Sequence, residues 1–110
     1  MEVGTTEYKR CSVVTVSGRV DSNTAPEFEE TLKKVIEEGQ RNVVLELGGV
    51  EFMSSAGLRG MVSSLKACKG SGGDLVLASP SARVSEVLQL AGLTPLFNVY
   101  DDITSAVGSF

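Results

Sequence analysis

The apolar residues of the chain follow two alternating periodicities, and this alternation predicts a mixed α/β fold. Val3 and Tyr8, separated from the next apolar run by a polar turn at Lys9-Arg10, predict an N-terminal β-hairpin. Further short apolar runs have the length and composition of strands. These predicted strands are residues 13–16, 43–47, 74–78 and 96–100.

Between these runs, apolar residues recur at the three- and four-residue spacing of amphipathic helices. Gly39, Gly92 and the glycine-rich stretch 70–73 follow three of these segments, where helices commonly end. The four predicted stripes are Phe28, Leu32, Val35 and Ile36; Leu58, Met61, Val62, Leu65 and Cys68; Val84, Val87, Leu88 and Ala91; and Ile103, Ala106, Val107 and Phe110.

The residues before each helix predict where it begins. Thr24 and Glu27 have the spacing of a capping box, and Pro26 falls in the first turn of the same helix. The pair Ser79-Pro80 is expected to open the third helix. One aspartate of the pair Asp101-Asp102 is expected to cap the last helix.

The resulting element order, ββαβαβαβα, predicts an α/β domain with a mostly parallel central sheet and an antiparallel N-terminal edge. The run Val43 to Leu47 is apolar without strict alternation, which predicts a strand covered on both faces, and Gly48-Gly49 is expected to end it. No linker or repeat divides the chain. We therefore expect residues 1–110 to form one domain.

Composition argues against several classes of chemistry. The chain has no histidine, so a serine hydrolase would lack its usual base. Cys11 and Cys68 are far apart with no CxxC pair, which predicts two buried, reduced cysteines and no metal site. The stretch 70–73 precedes a strand and lacks the lysine of a phosphate loop. We expect no catalytic residues, no metal and no cofactor.

Charge and hydropathy narrow the possible partners. The net charge of −4 argues against a nucleic-acid surface, which requires a basic patch. The apolar runs are only a few residues long, far short of the roughly 20 that span a membrane, and Glu2 lies where a signal peptide would be basic. We expect a soluble, cytoplasmic protein without direct nucleic-acid contact or membrane insertion.

Ser54 and Ser55 lie between a predicted strand and a predicted helix, at the end of a parallel strand where open α/β folds usually bind ligands. One interpretation is structural: either serine caps the helix, and Gly57 lets that helix pack closely on the sheet. The other is regulatory, because an exposed hydroxyl at a helix start can be chemically modified. The residues alone leave both interpretations open.

Several segments, in order and spacing, resemble the anti-sigma factor antagonist (STAS) family. VVLEL followed by VEFMSSAGL is similar to the family's strand and its hydrophobic-Asp-Ser-Ser-Gly-Leu motif. SGRVDSNTAPEFEETL resembles the early Gly-x-hydrophobic-Asp segment and first helix, and LQLAGLTPLFNVYDD resembles the closing features. The resemblance covers nearly the whole chain. Ser54 stands at the usual Asp, and Ala56 at the usual second Ser.

The resemblance implies a binding module and not an enzyme. In this family the domain binds an anti-sigma factor that is also a serine kinase, which frees a sigma factor, and phosphorylation of the first motif serine abolishes productive binding. The implied phosphorylation site is Ser55, with Ser54 as second choice, and a serine phosphatase is the second implied partner. The chain is expected to be a monomer or a weak dimer. The implied partner-binding residues are Asp21, Ser22, Asn23, Thr24, Ser54, Ser55, Ala56, Gly57 and Arg59.

Two alternatives remain from the sequence. The first is a STAS subunit that binds a transporter or signalling assembly through the same helix face without any phosphorylation. The second is a small-ligand or nucleotide sensor at the strand ends, which the absence of a phosphate-binding lysine loop disfavours.

Overall fold

The computed structural model describes all 110 residues and contains one five-stranded sheet. The strands are β1 (Glu2–Glu7), β2 (Ser12–Val20), β3 (Asn42–Met53), β4 (Asp74–Ala78) and β5 (Val99–Tyr100). The helices are α1 (Ala25–Glu37), α2 (Ser55–Gly70), α3 (Ala82–Leu90) and α4 (Ile103–Gly108). The strands lie side by side in sequence order, β1 antiparallel to β2 and all others parallel. The predicted fold class and element order are confirmed.

Apolar side chains cover both faces of the sheet. Val43 and Leu45 of β3 belong to a large cluster with α1, α2 and α3, whereas Val44 belongs to a smaller cluster with α4. The prediction that this strand is buried on both faces is confirmed. The predicted helix stripes are buried or half-buried, except that Ala91 lies exposed just after α3. None of the helices is long and apolar enough to cross a bilayer.

The prediction that Gly48-Gly49 ends its strand is wrong, because β3 continues to Met53. Gly49 pairs with Ser17 of β2, and the register shifts around this position. A Cβ atom at Gly49 would lie only 2.8 Å from the Ser17 Cβ. The glycine therefore permits a close approach of two strands instead of a turn.

The last predicted strand, residues 96–100, is shorter than expected. Only Val99 and Tyr100 pair with β4, whereas Thr94–Leu96 form a single 3-10 turn with Pro95 near its start. Proline fixes the backbone and removes an N–H donor, which suits a turn and not a strand. Phe97 is buried in the large cluster between the two.

Serine and aspartate side chains begin the third and fourth helices. Ser81 Oγ accepts a hydrogen bond from the Val84 N–H (3.2 Å), so Ser81 caps α3, which begins at Ala82. The prediction that Ser79-Pro80 opens this helix is therefore wrong, because both residues precede the cap. Asp102 Oδ1 accepts a hydrogen bond from the Ser105 N–H (2.7 Å), so Asp102 caps α4. The prediction that Asp101 or Asp102 caps this helix is confirmed.

Both cysteines are fully buried and unpaired, Cys68 in the large cluster and Cys11 in the small one. Burial, together with the nearby charge of Asp74, raises the pKa of the Cys68 thiol from 9.0 to about 11. Burial also raises the pKa of the Cys11 thiol. The folded chain thus favours the neutral thiols.

This shift predicts a loss of stability at alkaline pH. Above pH 9 the Cys68 thiol ionises in the unfolded chain but stays protonated in the folded chain, so the free energy of unfolding should fall between pH 9 and 11. We expect the ionisation of Cys68 in the unfolded chain to lower the free energy of unfolding by on the order of 1 kcal/mol at pH 10.5. Urea unfolding of wild type and Cys68→Ala across this range measures it, and parallel pH profiles of the two proteins would refute it.

Candidate functional site

The carboxyl ends of β2 and β3 meet at one edge of the sheet. Val20 pairs with Met53 in the parallel register, and the Ser54 N–H donates a hydrogen bond to the Val20 carbonyl (2.7 Å). The loop 21–24 that follows β2 therefore lies beside residues 54–57 that follow β3. We call these two segments the serine edge. It contains all the predicted partner-binding residues except Arg59, which lies one turn further along α2.

The two serines of this edge have different environments. Ser54 is half-buried in an extended conformation, and its Oγ accepts a hydrogen bond from the Gly57 N–H (3.2 Å), so Ser54 is the N-cap of α2. Ser55 is the first residue of the helix, is exposed, and its hydroxyl has no hydrogen-bond partner in the protein. The structural role thus belongs to Ser54, and Ser55 is left accessible.

Gly57 and Ala56 set how closely α2 lies on the sheet. A Cβ atom at Gly57 would overlap the Met53 Sδ and lie 2.8 Å from Val20 Cγ1. The prediction that Gly57 permits close helix packing is confirmed. Ala56 is half-buried against the large cluster. These two residues hold the helix start in position and leave little side-chain surface for a partner.

The loop 21–24 is held by hydrogen bonds centred on Asp21. Its Oδ1 accepts from the N–H groups of Asn23 (2.9 Å) and Thr24 (3.1 Å), which lower the pKa of this carboxyl group. The Thr24 hydroxyl accepts from the Asp21 N–H and donates to the Arg19 carbonyl, both at 2.9 Å. Thr24 precedes α1, but its side chain makes no capping hydrogen bond to the helix. The predicted capping box of Thr24 and Glu27 is therefore wrong. The loop is an ordered surface with a carboxylate that stays charged at neutral pH.

An arginine that the sequence did not single out lies beside this loop. The Arg19 guanidinium carbon is 4.4 Å from the centre of the Phe52 ring, and Arg19 Nε is 4.0 Å from Asp21 Oδ2. The Arg19 side chain nevertheless remains 61% exposed. Arg19 and Phe52 are partners across β2 and β3. Each of these residues precedes a buried one, Val20 or Met53, so alternation along the strands could have indicated that Arg19 and Phe52 lie on the opposite face. It could not have indicated that the two are neighbours across the strands.

The exposed side of α2 continues from the serine edge into a shallow groove. This groove has a volume of about 450 Å³, with Leu58, Val62 and Leu93 among its apolar lining residues and Arg59 and Lys66 among its polar ones. Ser22 and Asn23 are exposed on the loop at the same edge. The surface around Ser55 therefore combines cations, a carboxylate and apolar side chains, as protein-binding surfaces do.

The unequal roles of the serines predict unequal effects on stability. Ser54→Ala removes the cap of α2 and should lower the free energy of unfolding by about 1 kcal/mol. Ser55→Ala removes an exposed, unbonded hydroxyl and should change it by less than about 0.5 kcal/mol. Urea unfolding of both variants measures the difference. Equal effects, or a larger loss in Ser55→Ala, would contradict the assignment of the cap.

Comparison with known protein families agrees with this architecture. The sequence model of the STAS domain matches residues 2–106, nearly the whole chain. The chain belongs to the STAS domain family.

Two relatives in that family carry the name of anti-sigma factor antagonists. The anti-sigma-B factor antagonist of Staphylococcus aureus is 31% identical over 99 residues, which cover 90% of this chain and 92% of the relative. BtrV of Bordetella bronchiseptica, whose name gives it as a candidate anti-sigma factor antagonist, is 33% identical over 98 residues, covering 89% and 84% of the two chains.

Solved structures share the fold over nearly their full length. An anti-sigma factor antagonist from Mycobacterium paratuberculosis superposes with a TM-score of 0.88 at 25% identity, covering 98% of this chain and 92% of that one. Unphosphorylated SpoIIAA gives 0.83 at 19% identity, with 96% and 93% covered. The phosphorylated form of SpoIIAA from Bacillus gives 0.78 at 18% identity, with 98% of each chain covered.

Proposed function

We propose that this chain is an anti-sigma factor antagonist controlled by phosphorylation of Ser55. Unmodified, it binds an anti-sigma factor that is also a serine kinase, and so frees a sigma factor. Phosphorylation of Ser55 releases the complex, and a serine phosphatase restores binding. The observation that carries the proposal is the exposed, unbonded hydroxyl of Ser55 at the start of α2, beside the ordered loop 21–24.

The name of the Staphylococcus aureus relative supports the class of partner. SpoIIAA has been solved in both phosphorylated and unphosphorylated forms, which supports the idea that this fold tolerates a phosphate. Ser54, at the position where the family usually has Asp, also fits the proposal. Serine and aspartate are about equally good N-caps, so the replacement retains the helix start that presents Ser55.

Ser55 is the better phosphate acceptor for a geometric reason. A kinase must reach the hydroxyl, and Ser55 is exposed, whereas Ser54 is half-buried and its oxygen accepts the Gly57 N–H. The first intrahelical bond of α2 runs from the Leu58 N–H to the Ser54 carbonyl (3.0 Å), so the N–H groups of Ser55 and Ala56 precede the helical ladder. These groups and the helix dipole favour a negative charge at this position. The phosphorylated chain should therefore stay folded.

Arg19 provides a test of the docking surface that does not touch either serine. We expect Arg19→Glu to weaken binding to the proposed anti-sigma kinase by about tenfold, or about 1.4 kcal/mol, because it reverses an exposed charge beside the serine edge. Calorimetric titration measures the affinity. Arg41→Glu makes the same change in net charge at the opposite end of the sheet and serves as control.

Two results would count against this docking surface. If Arg19→Glu binds as tightly as wild type, Arg19 is not part of the contact. If Arg41→Glu loses as much affinity as Arg19→Glu, the effect reflects overall charge and not the serine edge. The melting temperature of each variant shows whether it is folded.

A further inference from the structure

The end of the sheet opposite the serine edge carries a cleft with a local excess of positive charge. Its volume is about 490 Å³, and its basic lining residues are Lys9, Arg10 and Arg41. Three of the ten basic residues of the chain thus line this cleft, and none of the 14 acidic residues does. We call it the basic cleft. In a chain with a net charge of −4, the basic cleft is therefore a concave site of the opposite sign, with three cations where the groove beside α2 has two, Arg59 and Lys66.

Hydrogen bonds hold the turn at residues 8–11, which forms one side of the basic cleft, against the first residues of β3 and β4. The Tyr8 N–H donates to the Cys11 carbonyl (2.8 Å), which closes the turn that carries Lys9 and Arg10. The Asn42 side chain then joins this turn to the neighbouring strand. Its Nδ2 donates to the Arg10 carbonyl (3.1 Å), and its Oδ1 accepts from the Asp74 N–H (3.2 Å).

The third cation is positioned by close backbone packing. A Cβ atom at Gly73 would overlap the Arg41 carbonyl oxygen, so the two backbones are in direct contact. Gly39 ends α1 with a φ of +98°, which directs the chain into the loop that carries Arg41. Arg10 Nη1 donates to the Phe110 carbonyl (3.5 Å), a long contact within the cleft that a bound anion would replace.

We propose that the basic cleft binds a small multivalent anion of the oligophosphate class. Two guanidinium groups can each present a planar pair of donors to phosphate oxygens, and Lys9 adds a point charge. The volume lies in the range of small-molecule sites, roughly 300–1,000 Å³. A monovalent anion would leave at least one of these cations without a partner.

The surroundings of the basic cleft favour a compact ligand. The adjoining cleft shares Gly39 and Gln40 but is lined by Glu7 and Glu38. These carboxylates would repel an extended polyanion that continued across the surface. The positive region is therefore only about as large as the basic cleft itself, which disfavours nucleic acid.

This site is independent of the proposed switch. The basic cleft lies at the amino end of β3 and the serine edge at its carboxyl end, on the order of 30 Å apart for a strand of this length. A negative result at one end therefore leaves the other unaffected.

Titration of the isotope-labelled chain with inorganic pyrophosphate, followed by NMR, tests the proposal. We expect saturable shifts of the amide signals of residues 9–10 and 39–42, with a Kd of roughly 1 mM or below at low salt. Arg10→Gln/Arg41→Gln should weaken binding by about tenfold or more. Lys33→Gln/Arg83→Gln makes the same change in net charge on exposed residues outside the cleft and should bind as wild type does.

A titration with ATP distinguishes the sources of the phosphate. Shifts of the same signals with an equal Kd would support recognition of the phosphate chain alone, and a lower Kd would support an additional contact from the nucleoside. Absence of saturation by about 10 mM pyrophosphate would overturn the proposal. Equal weakening in the two double variants would also overturn it, since only general attraction would then be at work. Unchanged melting temperatures establish that both variants are folded.

Discussion

Phosphorylation of Ser55 is expected to lower the affinity of the chain for its anti-sigma kinase by about a thousandfold, a loss of about 4 kcal/mol in binding free energy. The phosphate adds about −1.5 to −2 charges at an exposed position. In the free chain, water and the first N–H groups of α2 stabilise this charge. In the complex the same charge must lose its water against the partner.

Calorimetric titration of three variants with the anti-sigma kinase tests whether the loss of affinity is due to phosphate on Ser55. Ser55→Ala should bind as wild type does and should keep its affinity after treatment with kinase and ATP. Ser55→Asp should lose only part of the affinity, since it adds a single charge. Ser54→Ala should still lose its affinity on treatment, because the acceptor hydroxyl is retained. Undiminished binding by the fully phosphorylated chain would reject the switch.

Gly73→Ala should be among the most destabilising single-methyl changes in this chain. The added Cβ would overlap the carbonyl oxygen of Arg41 and lie 2.6 Å from its carbonyl carbon, and backbone atoms cannot move aside as a flexible side chain can. We expect a loss of about 3 kcal/mol in the free energy of unfolding, measured by urea titration. A folded variant should also show displaced amide signals around Arg41.

Gly70→Ala provides a matched control three residues earlier. It adds the same methyl group at the last residue of α2, where nothing lies within 4 Å of the new atom. There the higher helix propensity of alanine should leave stability unchanged or raise it by up to about 1 kcal/mol. If both variants lose stability equally, the close contact between Gly73 and Arg41 is not what makes glycine necessary.

Much of the fold follows from local pattern. The helix stripes, the element order and the burial of β3 on both faces could be predicted because periodicity reports which side of an element is covered. The errors arise where residues contact distant parts of the chain. Gly48-Gly49 has the composition of a turn, but Gly49 meets Ser17 across the sheet. Thr24 has the spacing of a cap, but its hydroxyl bonds to the backbone of Asp21 and of Arg19 in β2.

The candidate site also has some features that the local sequence predicts and others that depend on contacts between distant residues. The sequence indicated the junction at Ser54-Ser55 and the loop that begins at Asp21, because both follow predicted parallel strands. It could not distinguish the capping serine from the free one, since that depends on backbone angles and on the direction of a single hydroxyl. Arg19 and Phe52 were missed because their contact depends on the register between two strands.

Mapping the phosphate within a single peptide tests the central claim most directly. Cleavage after Arg41 and Arg59 releases residues 42–59, in which Ser54 and Ser55 are the only hydroxyl side chains. After incubation with the anti-sigma kinase and ATP, fragment masses of this peptide assign the phosphate to one of the two adjacent serines. We expect it on Ser55, with Ser54 unmodified. Phosphate on Ser54 alone, or only on residues outside this peptide, would contradict the assignment of Ser55 as the switch.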